Sequence, residues 1–239
     1  MHWPGTGDAC SMADASHIAL IRHGAYRQRA GAPSARQPYP LTDAGIAQAR
    51  AGAETLSGMI ADHGMQPAPI IFSSRQLRAW QTAREILTRL RELGHPVEGI
   101  EETSALAERG LGSAANLTVA EIEAVLRDDP RHDPPPPGWK SDSDYRLPLE
   151  GAESLTEAGQ RVARHLVETA RPGQLTIHVG HGASFRHACC HLGLIDRTEI
   201  PKLSMFHARP SLICHDSHGR WRHLAGAWKI RAPEEDPKD

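Results

Sequence analysis

Short continuous apolar runs separated by longer amphipathic stretches set the rhythm of this chain. Ile18-Ala19-Leu20-Ile21, Ile70-Ile71-Phe72 and Leu175-Thr176-Ile177-His178-Val179 are runs bounded by breakers, the pattern of strands buried on both faces. Between the first two, Ile46, Ala49, Ala53, Leu56 and Ile60 recur at helical spacing, with Thr42 as N-cap and Gly64 and Pro67 at the end. Leu77, Trp80, Ile86, Leu87 and Leu90 predict a second helix, capped by Ser74 and closed by Gly94 and Pro96. Residues 97–101 read as a third strand, and Thr118 caps a short helix to about Leu126. Further helices are expected from about Glu153 to Ala170 and from about Ser184 to Leu192, and two more strands around 203–208 and 211–215. Strand and helix alternate, which predicts a three-layer α/β/α sandwich with a mostly parallel central sheet.

One stretch breaks the rhythm. From about 128 to 151 the pattern turns irregular and includes four consecutive prolines, Pro134 to Pro137. A structureless stretch this long inside a compact domain marks a lid or a disordered segment, so a lid-like insertion is expected here. Residues 1–16 are small and polar and read as a disordered N-terminal segment, 17–230 as a single domain, and 231–239 as a loose charged tail.

Composition narrows the function classes. A chain of 239 residues supplies a full core without staples. A net charge of −2 gives no global basic excess for nucleic acid or an anionic membrane. No apolar run approaches the ~20 residues of a membrane span, and the first 16 residues carry neither the basic nor the apolar region of a signal peptide. The four cysteines, Cys10, Cys189, Cys190 and Cys214, do not form a disulfide framework, so a reduced, cytoplasmic chain is expected. The sequence does not speak to oligomeric state.

Chemistry concentrates where strands end. Arg22 and His23 follow the first strand and stop at Gly24. Arg78 stands in the first turns of the helix after the second strand, Glu108 in a Gly-rich loop after the third, and His181, between two glycines, after the run ending at Val179. In a parallel sheet these ends open on one edge. Two arginines, two histidines and a carboxylate would then converge, a set that fits a phosphate group. Arginine matches phosphate oxygens with a planar fork, helix N-termini near Arg78 and Gly182 add N–H donors, and a protonated second histidine would add charge. An imidazole is a competent nucleophile toward phosphorus, and Glu108 could protonate the leaving alkoxide and later activate water.

These residues resemble the histidine phosphatase superfamily, the phosphoglycerate mutase-like fold, branch one, over roughly residues 18–225. The match runs through Arg22-His23-Gly24; Leu41-Thr42 with Gly45 and Gln48-Ala49; Ser73-Ser74 with Arg78-Ala79 and Gln81-Thr82-Ala83; Leu106, Glu108, Gly112 and Leu117-Thr118; Glu153-Ser154 with Arg161-Val162; and Val179-Gly180-His181-Gly182. The resemblance implies His23 as the phosphorylated nucleophile, Arg22, Arg78 and His181 as the phosphate pocket, Glu108 as proton donor, and no metal or cofactor. Phosphoglycerate mutases follow the signature with Glu-Ser and then Trp-Asn, where this chain has Ala25-Tyr26-Arg27, an arrangement closer to members acting as phosphatases. Tyr26 joins the substrate-binding candidates for that reason. Arg109 matches the mutases' Glu-Arg pair and either extends the positive pocket or pairs with a surface carboxylate.

The expectation is therefore a metal-independent phosphatase acting on a phosphorylated small molecule or a phosphoprotein. Mutase-type phosphoryl transfer and an idle phosphate-binding module remain as alternatives. His187 and His191, four apart on a helix, could hold a metal, but two satisfied histidines on a packed helix is the stronger reading. His178 reads as a hydrogen-bonded core residue. Trp139, Lys140, Tyr145 and Arg146 either line the substrate mouth or decorate a solvated lid, with the second as default. Arg27, Arg29 and Arg36 either select an anionic substrate or belong to a solvated loop.

Overall fold

A computed structural model describes residues 15–216 and 218–231. Of the segments expected to be loose, 1–16 and 231–239, residues 1–14 and 232–239 lie outside the described residues. Ala15 and Ser16, counted with the N-terminal segment on sequence grounds, are instead buried, and Ser16 opens the first strand.

Four strands form the parallel heart of a six-stranded sheet: β1 (Ser16–Arg22), β2 (Pro67–Ser74), β3 (Gly99–Thr103) and β4 (Leu175–Gly180). Two further strands, β6 (Pro210–His215) and β7 (Trp221–Ala225), extend it through antiparallel pairings in the order β3-β2-β4-β1-β6-β7. A separate two-residue ladder pairs β5 (Leu203–Ser204) with β8 (Lys229–Ile230). The expected strand at 203–208 thus shrinks to β5, and β7 and β8 were not foreseen. Both fall in stretches where polar residues interrupt any apolar run.

The continuous apolar runs are explained by cover on both faces. Ala19, Ile21, Ile177 and Val179 pack against Ala53, Leu56 and Ile60 of α1 (Asp43–Asp62) and Ala79, Ala83, Ile86 and Leu90 of α2 (Leu77–Glu92). Ile18 and Leu20, pointing the other way, pack against Val162, Ala163 and Leu166 of α4 (Leu155–Thr169) and Phe185, Ala188 and Cys189 of α5 (Gly182–His191). Each fully buried Leu or Ile here stabilises by roughly 1.5–3 kcal/mol. Ile46 and Leu77, expected inside, are both 38% exposed, because each lies in a first turn on the solvent side of its helix.

A third cluster anchors part of the insertion: Trp139 and Leu147 are buried, Lys140 and Tyr145 are half-buried, and Arg146 is exposed as solvated decoration would be. Residues 129–151 form no helix or strand. They nevertheless bury Trp139 and Leu147 with Leu111 and with Ile122 and Leu126 of α3 (Val119–Asp128). Trp139 is 2% exposed, and its indole N–H donates to Glu123. The insertion is also tied to the main body: Ser143 accepts the Thr156 N–H and bonds the ring of His187.

Register brings the site together. Arg22 pairs with Gly180, and Ser73 with Val179, so β1, β4 and β2 end at one level. The Gly24–Ala25 turn then meets the start of α1 so closely that a Cβ on Gly45 would lie 1.9 Å from the Ala25 carbonyl oxygen, a contact only glycine allows. No helix among the described residues is long and apolar enough to cross a membrane. Cys189 and Cys190, at the end of α5, carry free thiols.

Candidate active site

His23 stands one residue past β1 and is 1% exposed. Its Nδ1 lies 2.8 Å from the Gly24 carbonyl oxygen. A carbonyl only accepts, so Nδ1 carries the proton and Nε2 keeps its lone pair. Arg78, fully buried, donates Nε–H to that lone pair at 3.1 Å. Burial first, then the charges of Arg78, His181 and Arg22, pushes the His23 imidazole well below the usual histidine range. The ring is therefore neutral at neutral pH, with its lone pair on the nitrogen that faces the arginine.

His181 caps α5 and is also fully buried. It accepts from Arg78 Nη2 at 3.2 Å through Nδ1, which leaves Nε2–H to donate to Ser74 Oγ at 3.0 Å. Burial, Arg78, Arg22 and Arg161 lower its pKa well below the usual value. A protonated second histidine is thus corrected to a neutral one in the resting site, and the positive charge comes from the arginines. Ser74 is corrected as well: Gln76 stands at the N-cap of α2, and the Ser74 hydroxyl accepts from His181 Nε2 and, at 3.4 Å, from the Gln76 N–H ahead of the helix.

Arg22 packs beneath α5, where a Cβ on Gly182 would come within 3.1 Å of its Cδ. Its Nη1 donates to the Met205 carbonyl at 2.9 Å. Tyr26 lays its ring 4.6 Å from the Arg78 guanidinium carbon and edge-on to His23. Glu108 is 4% exposed and accepts the Arg109 and Ser184 backbone N–H groups, both on Oε1. Oε2 is thereby the oxygen left for a ligand. The loop that carries it is braced from behind: Arg161 pairs with Glu153 at 2.8 Å and donates to the Ala105 and Ala107 carbonyls, while Glu153 accepts the Gly110 N–H. Burial pushes the Glu153 carboxyl up, but the bonds from Arg161 and Gly110 outweigh it and hold the group below its ordinary value. Glu153 was expected in the first turn of a helix; it precedes the Ser154 cap and belongs to this brace.

Arg109 is 4% exposed, and its guanidinium, 5.9 Å from the Trp139 ring, has no hydrogen-bond partner among the described residues. Its pairing with a surface carboxylate, one of the two sequence readings, is not what the structure has. Burial lowers its pKa, with Glu108 acting against that. Beyond Trp139 a cleft of about 640 Å³ opens between residues 28–32, α3 and residues 138–141.

Seven candidates, Arg22, His23, Tyr26, Arg78, Glu108, His181 and Gly182, gather at the carboxyl edge of the sheet, and Arg109, next to Glu108, lies near Trp139. Two residues that sequence reasoning passed over join them. His207 donates from Nδ1 to the His23 carbonyl at 2.9 Å, its ring 5.6 Å from that of His23. Gln37, 1% exposed, holds the loop above Arg78. Neither lies on a periodic element, so no local pattern marks them. His187 keeps its Nδ1 on the Ala183 carbonyl, 2.8 Å away, and burial lowers its pKa to about 4; among the described residues no group of three or more metal-ligating side chains assembles.

The model of the histidine phosphatase superfamily (branch 1) matches residues 18–226. The fold is also that of solved structures with low sequence identity. A mycobacterial glucosyl-3-phosphoglycerate phosphatase is 23% identical at a TM-score of 0.64, covering 87% of this chain and 97% of its own. A putative alpha-ribazole-5'-P phosphatase from Escherichia coli is 20% identical at 0.65, covering 91% and 96%. A phosphoserine phosphatase from Entamoeba histolytica, in complex with 3-phosphoglyceric acid, is 18% identical at 0.62, covering 91% and 98%. No curated protein matches the sequence.

Proposed function

This chain belongs to the histidine phosphatase superfamily (branch 1); on that premise we propose that it is a phosphoric monoester hydrolase, acting on a phosphorylated small molecule through a phosphohistidine on His23. The observation that carries the reading is the fixed tautomer of His23: Nδ1–H is held by the Gly24 carbonyl, and Nε2 stays unprotonated beside Arg78. In the first step the Nε2 lone pair attacks phosphorus and the bond to the ester oxygen breaks. Glu108, through Oε2, gives the departing alkoxide a proton. In the second step the same carboxylate takes a proton from water as the water oxygen attacks phosphorus, and the bond to Nε2 breaks. Arg22, Arg78 and the N-terminus of α5 at Gly182 balance the charge on the equatorial oxygens, and Tyr26 and His181 position the Arg78 guanidinium. No step calls on a metal or cofactor.

Arg109 supplies a criterion for the substrate. The Arg109 guanidinium lies near the Trp139 ring and Glu108 with no hydrogen-bond partner among the described residues, so a ligand that brings an anionic or strongly polar group to it gains charge-assisted hydrogen bonds. The relatives named for glucosyl-3-phosphoglycerate, alpha-ribazole-5'-P and phosphoserine act on phosphorylated small molecules of this general kind, and the buried nucleophile favours such a ligand over a protein side chain. The free thiols suit the cytoplasmic setting proposed with it. The test is phosphate release from a panel of phosphomonoesters with and without a second anionic group. Release from several members, fastest for the doubly anionic ones, is expected. Isomer formation without release would assign mutase chemistry, and phosphate binding without turnover would assign an idle module.

A further inference from the structure

Arg78 is crowded by its own chain. The segment from Arg27 to Pro40 leaves the site and returns to it, its ends clipped by the Tyr26–Leu41 bridge and by Arg27 N–H on the Pro40 carbonyl. Its inner arm runs over the guanidinium. Arg78 Nη2 donates to the Ser34 carbonyl at 2.7 Å and the Ala35 carbonyl at 3.0 Å, and Nη1 donates to the Gln37 carbonyl at 3.0 Å. With His181 Nδ1 also on Nη2, three acceptors share two hydrogens. A phosphate oxygen that is to be forked by this arginine must take hydrogens these carbonyls now hold.

One side chain keeps the arm in that position. Gln37 accepts the Arg29 N–H at 2.8 Å and donates to the Ala32 and Pro33 carbonyls at 3.2 and 3.0 Å. It thereby folds the inner arm onto the outer one. The outer arm is fixed to α3 by Arg29 on the Asn116 carbonyl and on Glu121, and by the Val119 N–H on the Gly31 carbonyl. A lesser latch, the Tyr26 hydroxyl on Ser34 Oγ at 2.9 Å, ties the arm to the ring beside Arg78.

We propose that Gln37 is a positioning residue that seats the 33–37 arm on Arg78, and that this arm gates the phosphate pocket, its carbonyls standing in for phosphate oxygens until a substrate displaces them. The proposal rests on the phosphate-pocket reading above and deepens it. The gate keeps the guanidinium oriented in the empty enzyme, and it imposes a step in which the arm withdraws before the arginine engages the phosphoryl group. Removing the Gln37 side chain frees the inner arm without touching Arg78, His23 or Glu108. Entry then becomes faster, while the chemistry, which needs Arg78 held still, becomes slower.

The experiment measures association of inorganic phosphate and of vanadate by stopped flow with the full chain, wild type, Gln37→Ala and Ser34→Ala, alongside kcat on one phosphomonoester. Gln37→Ala is expected to raise the association rate constant about 10-fold while kcat falls several-fold, and Ser34→Ala to shift both the same way by less. A general loss of structure does not raise an association rate. Hydrogen exchange of the wild type supplies the measurement that needs no variant: amides of 28–37 should change their protection when vanadate binds. Phosphate binding with unchanged association rates and unchanged exchange in 28–37 would overturn the gate and leave the pocket standing. Failure of wild type and both variants to bind either anion would overturn the pocket and the gate with it.

Discussion

Strand β4 and its end carry two fully buried histidines three residues apart, His178 and His181, and they are put to different uses. Burial drives both well below the ordinary histidine pKa, so both are neutral. His178 lies within the strand, stacked on Phe72 and edge-on to His165. Its Nε2 meets Thr176 Oγ1, whose hydroxyl donates to the His17 carbonyl, so Nε2 is the donor and Nδ1 is left buried without a partner. His181 stands one residue past the strand, with Arg78 on one nitrogen and Ser74 on the other. Burial therefore sets the charge state of an imidazole but not its use. What separates the two is the strand end, where a loop and a helix N-terminus bring cations and fix both ring nitrogens. His23 shares that setting on β1.

The hardest test of this distinction removes one histidine of each kind. His23→Ala should lower turnover by roughly 10⁴-fold or more, whereas His178→Val should leave kcat within about 3-fold in the fraction that folds. Steady-state assays on one phosphomonoester decide this, and equal losses would dissolve the distinction. Removing the cation comes next. Arg78→Ala should cost about 10²–10³ in kcat, the range for deleting one preorganised donor to a charged transition state. Lysine should restore only part, because it lacks the fork. Unchanged inhibition by phosphate in Arg78→Ala would remove Arg78 from the pocket.

Glu108 gives a smaller, substrate-dependent effect. Glu108→Gln should slow phosphorylation of His23 by an alkyl phosphate by about 10²-fold and by an activated aryl phosphate hardly at all. Single-turnover rates for the two substrates check it, and equal slowing would move the leaving-group acid elsewhere.

The smallest effect belongs to the core histidines. In the unfolded chain each histidine protonates near ~6.5, while in the fold His178 stays neutral far below that and His187 to about 4. The unfolded state thus binds more protons as pH falls, and stability is lost downward from about 6.5. Each such group should cost about 1.4 kcal/mol by pH 5.5. Denaturant melts at pH 7.5 and 5.5 measure it, and His178→Val should shrink the difference by about that amount. An unchanged difference would mean that His178 charges within the fold.

Much of this was legible because it is local. Ile18 to Gly24 and Leu175 to Gly182 announce a buried strand, its end and the polar residues delivered there, and α1 and α3 follow from Thr42 and Thr118 in their caps. What escaped is held by contacts distant in sequence. Gln37 lies in a polar loop and matters because its carbonyl meets Arg78, 41 residues on, while its side chain ties the loop's two arms together. Trp139 lies among prolines and is buried by α3 and Leu111. His207 reaches the backbone of His23 across 184 residues, from the short connection between β5 and β6. Ser74 looked like a helix cap by its neighbours, and only the arrival of His181 beside it shows its use.

The most direct test of the proposed chemistry is rapid quench of the enzyme with a phosphorylated substrate, followed by alkaline digestion and identification of the labelled peptide and of the phosphohistidine isomer. Because the Gly24 carbonyl holds the proton on Nδ1, the account predicts label on His23 alone and on its Nε2. Label on Nδ1, on Ser73, Ser74 or Cys189, or no trapped phosphoryl group during turnover, would contradict it.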